Sequence, residues 1–251
     1  MEKTVQDQLF DINGRFYQEY GAAFAETRRR IQPGVRRILT EEVSDGAWLD
    51  LGCGSGALSA EWAAAGKRGL YEGLDFSPVL IETAQTASRG VALAADQQVR
   101  FALADLRSAD WSRQCSRRRY DGVLMFAALH HIPGAAVRAA LLQQIAGLLP
   151  SGARFVHSEW QFTRNPKLAA RVQPWGQVGL KGTDVEPGDY LLDWRHTVTG
   201  QAEIPGLRYV HLFSAAELSA LAAASGFTIQ SQFDSDGATG DLSLYQVWQR
   251  L

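Results

Sequence analysis

Short apolar runs alternate with helical patterns between residues 47 and 158 of this 251-residue chain. The apolar runs predict buried strands at about 47–51, 69–74, 99–104, 120–126 and 153–158. The segments between them repeat their apolar residues at helical spacing and predict helices at about 57–66, 78–88 and 134–149. Strands that alternate with helices in this way are typical of an α/β, Rossmann-like fold, in which helices cover both faces of a mostly parallel sheet.

Three other segments depart from this alternation. Aromatic residues at helical spacing, beginning with Phe10, Phe16 and Tyr20, predict a helical N-terminal cap over residues 1–42. Residues 161–212 hold four of the eight prolines and show no clear periodicity, which predicts an inserted lid. A helix at about 215–225 and a closing hairpin with strands at about 227–233 and 241–249 follow. We therefore expect one domain, 1–251, with a cap and a lid.

Composition narrows the class of protein. The hydrophobic share of 46% and the charged share of 21% are those of a globular protein with a substantial core. No apolar run approaches the ~18 residues of a membrane span, and the start lacks a secretory apolar core, so we expect a cytoplasmic protein with no membrane contact. The net charge of −2 argues against a uniformly basic nucleic-acid binder. Cys53 and Cys115 predict neither a disulfide nor a metal pair.

Three glycines at alternate positions, Gly52, Gly54 and Gly56, lie between the first predicted strand and its helix. Such a turn lets the backbone pass close beneath a nucleotide ligand, because a Cβ there would be in the way. A dinucleotide dehydrogenase pattern fits only loosely, since the third glycine comes too early. Asp50, two residues before the turn, would disfavour a pyrophosphate but suits a ligand that carries an ammonium and a sulfonium.

Acids also end the next two predicted strands. Asp75 follows Asp50 by 25 residues, the length of one strand-to-strand crossover, so its carboxylate would accept the ribose hydroxyls of a nucleoside. Phe76 would pack on the adenine, and Ser77 would cap the following helix. Asp105 ends the third strand, where it would bind the adenine amino group while the amide of Leu106 reaches the ring.

The pattern Asp-x-Gly-x-Gly-x-Gly at Asp50–Gly56 resembles motif I of the class I S-adenosylmethionine (SAM) methyltransferases. The resemblance implies a seven-stranded sheet whose last strand is antiparallel, and SAM as the cofactor. It also implies that the segment from Phe126 and Ala127 to His131 lines the methyl group. His131 is the candidate base, whereas His130 is equally well explained as a buried, hydrogen-bonded residue. The spacing of the five histidines predicts no metal site.

A narrower resemblance covers most of the chain. It is carried by Phe16-Tyr17, Thr27-Arg28, Ala128-Leu-His-His-Ile132, Trp160, Asp189-Tyr-Leu-Leu-Asp-Trp194-Arg195 and Arg208-Tyr-Val-His211-Leu-Phe213. In these segments the chain is similar to the methyltransferases that esterify carboxymethyl-uridine at the tRNA wobble position, and to their bacterial relatives. The resemblance implies a cofactor contact for Tyr17, a catalytic role for Arg28, and an acceptor site that comprises Trp160, Trp194, Arg195, Tyr209 and His211. The aromatic members are equally well explained as core residues.

One departure from that family concerns the acceptor. Asp193 stands where the family usually has a proline, and an acid beside the acceptor pocket would repel an anionic substrate. Three hypotheses therefore stay open: an O- or N-methyltransferase that modifies tRNA, with a small partner subunit; a methyltransferase that modifies a small metabolite; and a SAM-binding scaffold without catalysis.

Overall fold

The computed structural model describes residues 1–27, 30–194 and 206–251. The described strands are β1 Gly46–Leu51, β2 Gly69–Asp75, β3 Gln97–Leu103, β4 Gly122–Phe126, β5 Arg154–Trp160, β6 Val172–Gln173, β7 Asp189–Trp194, β8 Gly206–His211, β9 Phe227–Ser235 and β10 Ser243–Arg250. The described α-helices are α1 Lys3–Thr27, α2 Pro33–Glu41, α3 Ala57–Ala64, α4 Pro78–Ser88, α5 Ala135–Leu148, α6 Pro166–Ala169 and α7 Ala215–Ala224.

A seven-stranded sheet organises the molecule, with the strand order β3-β2-β1-β4-β5-β10-β9. Strands β1 to β5 pair in parallel, whereas β10 pairs antiparallel with both β5 and β9. The predicted Rossmann-like sheet, its helices on both faces and its closing hairpin are confirmed. The carboxyl ends of the five parallel strands therefore meet at one edge, where a ligand site is expected.

Alternating side chains of the central strands supply two hydrophobic layers. Leu49 of β1 and Val123 of β4 face a cluster that includes α5 and α7. Trp48 and Leu124, their neighbours along the chain, face the other cluster, which includes α2, α3 and α4. Because each strand is buried on both faces, its sequence is an apolar run, which is why the strands could be predicted.

The predicted N-cap of α4 is also present. The Ser77 hydroxyl accepts a hydrogen bond from the amide of Leu80, and Pro78 occupies the first helical position. The helix therefore begins directly after Asp75 and Phe76, and this fixes both residues at the end of β2.

The segment predicted as an irregular lid contains regular structure. Strands β6, β7 and β8, which lie between β5 and α7 in the sequence, form a separate antiparallel sheet, the insertion sheet. Helix α1 packs on this sheet, where Leu9 and Ile12 share a buried cluster with Leu191 and Tyr209. No alternation marks β7 because its residues are buried or half-buried along the whole strand. Among the described residues, no helix combines the length and the apolar character needed to cross a membrane.

Candidate functional site

The glycine turn between β1 and α3 holds three left-handed residues, with φ of +75° at Gly52, +55° at Gly54 and +77° at Gly56. A Cβ on Gly52 would lie 2.5 Å from the Cβ of Ala128, and one on Gly56 would lie 2.8 Å from the ring of Phe101. A Cβ on Gly54 would meet nothing within 4 Å. Gly52 and Gly56 are therefore required by packing, whereas Gly54 leaves open space at the cavity described below.

Asp50 lies beside this turn, at the end of β1, and is buried. Its carboxylate accepts a hydrogen bond from the hydroxyl of Tyr71 on β2. Burial raises the pKa of Asp50 to about 7, against the opposing effect of the Tyr71 hydrogen bond and with a further rise from the charge of Asp75. A cation placed at the turn would favour the ionised carboxylate.

Asp75 organises the same turn from the end of β2. One carboxylate oxygen accepts the amide of Gly54 at 3.0 Å, and the other accepts the amide of Ser77 at 2.9 Å. Burial nevertheless raises the pKa of Asp75 above its ordinary value. A carboxylate has about four acceptor sites, so Asp75 keeps acceptor capacity for a ligand beside these backbone contacts.

Aromatic side chains cover the position beyond Asp75. The ring of Phe76 lies 5.1 Å from that of Phe10 and 5.6 Å from that of Tyr17, both on α1. Buried Leu106 lines the same cavity. The predicted adenine contacts Phe76 and Leu106 are thus brought together, along with Tyr17.

Asp105 is placed differently from these residues. Its carboxylate accepts hydrogen bonds from Arg107 at 2.9 and 3.2 Å, and its side chain is 40% exposed. The residue does not line the cavity. The guanidinium of Arg107 stacks on Phe10, 3.2 Å from the ring centroid, so this ion pair forms part of the outer wall.

A cavity of about 480 Å³ extends from the glycine turn across the carboxyl edge of the sheet. Residues from several elements line its far end: Asn13 and Tyr17 of α1, Phe126 at the end of β4, Ala127, His130 and His131 after it, Ser158 and Trp160 of β5, and Arg208 of β8. The buried guanidinium of Arg208 lies 4.9 Å from the ring centroid of Phe16 and 5.4 Å from that of Trp160. The insertion sheet therefore brings a positive charge to this wall.

His131 lies in this wall with both ring nitrogens in contact with the protein. Its Nδ1 is 3.0 Å from the carbonyl oxygen of Tyr209, and its Nε2 is 3.4 Å from the hydroxyl of Tyr17. Because a carbonyl oxygen only accepts, Nδ1 carries the proton and Nε2 accepts the weak hydrogen bond from Tyr17. His131 thereby joins α1 to the insertion sheet at the cavity.

His130 occupies a separate buried network. Its Nδ1 lies 3.0 Å from Oε2 of Glu159, and Oε1 of the same carboxylate lies 2.9 Å from Nδ1 of His157. Burial by itself would raise the pKa of Glu159, but the hydrogen bonds from the two histidines outweigh it, and the pKa is lowered. Glu159 is therefore an ionised carboxylate behind the cavity wall.

Three residues predicted for the acceptor site lie elsewhere. Trp194 packs against Phe16 and does not line the cavity. Tyr209 is buried, and its hydroxyl donates to Asp189 at 2.8 Å. His211 lies between the carboxylates of Asp189, at 2.7 Å, and Glu217, at 2.9 Å. These residues connect the insertion sheet to α7, whereas Trp160 does line the cavity.

Two further predicted residues, Arg28 and Arg195, lie outside the described residues. Conversely, sequence reasoning did not assign Asn13, Glu159 or Arg208 to the site. Of these, only Glu159 gives a local signal, because an acid inside an apolar strand must find a buried partner.

One group among the described residues combines potential metal ligands, namely Glu186, Asp189 and His211. The ring nitrogens of His211 both hydrogen-bond to carboxylates, and Glu186 pairs with Arg138 at 2.8 Å. These contacts make the group a buried polar network that ties the insertion sheet to α5 and α7.

Comparison with known families gives one match over most of the chain. A family model described as a methyltransferase domain matches residues 23–232. A comparison with curated proteins gives no match.

Solved structures share the fold. A SAM-dependent methyltransferase from Methanosarcina mazei has a TM-score of 0.63 and 25% identity, and the alignment covers 88% of this chain and 99% of that one. Magnesium protoporphyrin IX methyltransferase from Synechocystis PCC 6803, solved with bound S-adenosylhomocysteine (SAH), has a TM-score of 0.63 and 19% identity over 96% of this chain and 99% of that one. An amino pentose methyltransferase from Micromonospora echinaspora, solved with SAM, has a TM-score of 0.54 and 19% identity over 100% of this chain and 98% of that one.

Proposed function

The chain belongs to the methyltransferase domain family, and from this premise we propose that it is a SAM-dependent enzyme that methylates an oxygen or nitrogen atom of a small molecule. The observation that carries the choice of acceptor is the far end of the cavity. Buried side chains of separate elements, among them His130 and Arg208, line it together with residues of α1. Such a concave pocket, lined mostly by apolar and aromatic side chains with a few polar groups, is typical of small-molecule sites.

The donor set of the crevice fits SAM. Asp75 retains acceptor positions for the ribose hydroxyls, and Phe76 and Tyr17 provide apolar surface for the adenine. Gly54 leaves room at the turn for the amino-acid part, whose positive charges Asp50 would balance. A pyrophosphate would instead face two buried carboxylates, so a dinucleotide is disfavoured.

When bound, SAM supplies a methyl group on a sulfonium, and it leaves as a neutral thioether that needs no proton from an acid. The task of the protein is therefore to align the acceptor with the methyl carbon and to exclude water. Trp160 and Phe126 would form apolar walls for the acceptor, and the three-residue helical turn at Leu129–His131 places two histidines beside it.

Two arginine clusters away from the cavity, Arg36–Arg37 and Arg117–Arg119, also support a small acceptor over tRNA. Arg36 pairs with Glu61 at 2.8 Å, and Arg37 pairs with Glu41 at 2.9 Å. The exposed run Arg117–Arg119 precedes β4, so it lies at the amino edge of the sheet, opposite the cavity. Among the described residues, Arg36, Arg37 and Arg117–Arg119 add no phosphate-binding rim to the crevice, whereas Arg30 does line the cavity. Asp193 does not line the cavity, so its charge gives no argument for or against an anionic acceptor.

The test is methyl transfer from labelled SAM to a small-molecule metabolite extract or to bulk tRNA. We expect label in the metabolite fraction and none in RNA. Label that precipitates with tRNA and disappears after RNase treatment would contradict the proposal and favour the RNA hypothesis. SAM binding without transfer to either fraction would favour the scaffold. Gly54→Ala serves as a cofactor-site control, matched by Gly66→Ala, because only Gly54 lines the cavity.

A further inference from the structure

His130 has a defined tautomer because of its contact with Glu159. The Nδ1 to Oε2 distance is 3.0 Å, and both side chains are almost completely buried. An ionised carboxylate can only accept, so the proton lies on Nδ1 of His130. The amide of Trp160 lies 3.4 Å from the same nitrogen, a longer and weaker approach than that of the carboxylate. In the neutral ring, the lone pair therefore lies on Nε2.

Nε2 of His130 is the atom that opens on the cavity. His130 lines the cavity, and no described residue hydrogen-bonds to its Nε2. Nε2 of His157 is completely buried and has no hydrogen-bond partner, whereas Nε2 of His130 is not completely buried. The lone pair of His130 is therefore accessible from the cavity, and that of His157 is not.

His157 holds the carboxylate in place. Its ring is stacked on Phe155, with centroids 5.1 Å apart, and lies 4.6 Å from the centroid of Trp248. Its Nδ1 donates to Glu159 at 2.9 Å. The packed His157 thus fixes Glu159 in the position from which the other carboxylate oxygen reaches His130. A carboxylate that orients an imidazole in this way sets its tautomer and stabilises the imidazolium once it forms.

We propose that His130 is the general base of the methyl transfer, with Glu159 as its positioning residue, and that the acceptor is a hydroxyl, phenol or amine and not a carboxylate. This proposal rests on the proposed function and names the acceptor class of the same site. A carboxylate acceptor carries no proton to remove, so it would leave the His130–Glu159 pair without use. It would also add a negative charge beside an ionised buried acid.

The acceptor oxygen or nitrogen forms a bond to the methyl carbon while the carbon–sulfur bond of the cofactor breaks, and the sulfur keeps the electron pair. The acceptor proton passes to Nε2 of His130. The resulting imidazolium donates from both nitrogens, and its charge is balanced by Glu159. The proton then leaves to solvent with the product.

Other charged groups around His130 agree with this role. His131 lies beside it, with ring centroids 4.5 Å apart, and its two nitrogens are engaged by Tyr209 and Tyr17. Arg208 lies beyond Trp160, across the cavity wall. Glu159 is therefore the acid in direct contact with His130, and His131 serves as a wall residue that joins α1 to the insertion sheet.

The first test reads the tautomers directly. Long-range proton–nitrogen NMR spectra of the ¹⁵N-histidine-labelled, SAH-bound full chain should show a proton on Nδ1 of His130 and none on its Nε2. His130→Asn assigns the signal and keeps a donor for Glu159. In Glu159→Gln, one oxygen is replaced by an NH2 group that only donates, so the fixed Nδ1–H pattern should be lost for one of the two rings, His130 or His157. A His130 proton on Nε2 in the wild type would overturn the proposal, whatever the acceptor is.

The second test reads the product and the rate. Label transferred from SAM in the metabolite extract should be stable to mild alkali, as methyl ethers and methylamines are. Label released as volatile methanol would identify a methyl ester and overturn the general base, while leaving the proposed small-molecule function intact. Transfer to tRNA in place of metabolites would reject the proposed function, and the tautomer measurement would still decide the role of His130.

Kinetics of the variants complete the test. His130→Asn should lower kcat by about 10² to 10⁴ while the SAH dissociation constant stays the same, because general-base catalysis contributes about that factor. Glu159→Gln should lower kcat with little change in KM, which a merely structural role would not separate. His157→Asn is the matched control: it alters the same carboxylate from its other side and should cost stability more than rate. A wild-type kcat in His130→Asn would overturn the proposal.

Discussion

Substituting Gly54 by alanine should separate cofactor binding from folding. Gly54 has φ of +55° and Gly66 has φ of +69°, and a Cβ at either position would meet nothing within 4 Å. Both substitutions therefore impose the same left-handed strain without a clash inside the protein. Only Gly54 belongs to the cavity lining, so only Gly54→Ala should also interfere with the ligand.

The magnitudes follow from those two effects. A left-handed alanine costs about 1–2 kcal/mol, offset by about 0.4–1 kcal/mol from the reduced freedom of the unfolded chain. Each variant should thus lose about 1 kcal/mol of unfolding free energy and about 2–4 °C in Tm, as expected for a domain of this size. An added methyl group in an occupied site costs about 1–3 kcal/mol. For Gly54→Ala this corresponds to a loss of about 5- to 150-fold in SAH affinity.

The assay is thermal unfolding combined with calorimetric titration of SAH for the wild type and both variants. Equal losses of Tm and a loss of affinity in Gly54→Ala alone are the expected result. If Gly66→Ala weakened SAH binding as much as Gly54→Ala, the space at Gly54 would not be the ligand position, and the reasoning would be refuted. Gly52→Ala adds a contrast, because its Cβ would lie 2.5 Å from that of Ala128 and should destabilise the fold further.

Three further predictions concern titratable groups. Asp75→Asn should weaken SAH binding by at least about tenfold, because each hydrogen bond to a charged group contributes about 1.5–3 kcal/mol; unchanged affinity in calorimetry would contradict the ribose assignment. Burial raises the pKa of Asp50 to about 7, so Asp50 should lose a proton when SAM binds near neutral pH; this should appear as a buffer-dependent binding enthalpy that Asp50→Asn abolishes. Without ligand, the raised pKa should make the free energy of unfolding fall as the pH rises from 3.8 towards about 7. Burial lowers the pKa of His211, but the hydrogen bonds to Asp189 and Glu217 outweigh this effect, so the pKa is raised. Protonated His211 should therefore stabilise the fold below pH 6.5, and this stabilisation should be lost as the pH rises through the raised pKa. The free energy of unfolding of His211→Gln in urea should lack this pH dependence.

The fold could be predicted because its signals are local. Strands buried on both faces read as apolar runs, and Ser77 with Pro78 marks the start of α4 within two residues. The insertion sheet gave no such signal. Strand β8 is buried partly by α1, which lies almost 200 residues earlier in the chain: the amide of Tyr209 donates to Asn13, 196 positions away.

The cofactor residues were predictable for a related reason. Gly52, Gly54 and Asp75 act through backbone conformation and strand ends, which the chain specifies within a few residues. Asp105 followed the same logic, but Arg107 lies two residues later and takes up its carboxylate. The end of a predicted strand therefore indicates the backbone position of Asp105, but the direction of its side chain depends on the neighbouring Arg107.

The acceptor side depends on which strands become neighbours. Glu159 can contact His130 only because β5 lies beside β4 in the sheet, with Ser158 paired to Phe126. From the sequence alone, His131 is the candidate base, because nothing within a few residues of the pair favours His130. The sheet distinguishes them: it places an acid behind one ring, leaving a lone pair towards the cavity, and it places a carbonyl and a tyrosine on the two nitrogens of the other. The choice between the two histidines thus depends on the strand order, because that order brings Glu159 next to His130. A lowered kcat in Glu159→Gln would support both this contact and the proposed chemistry.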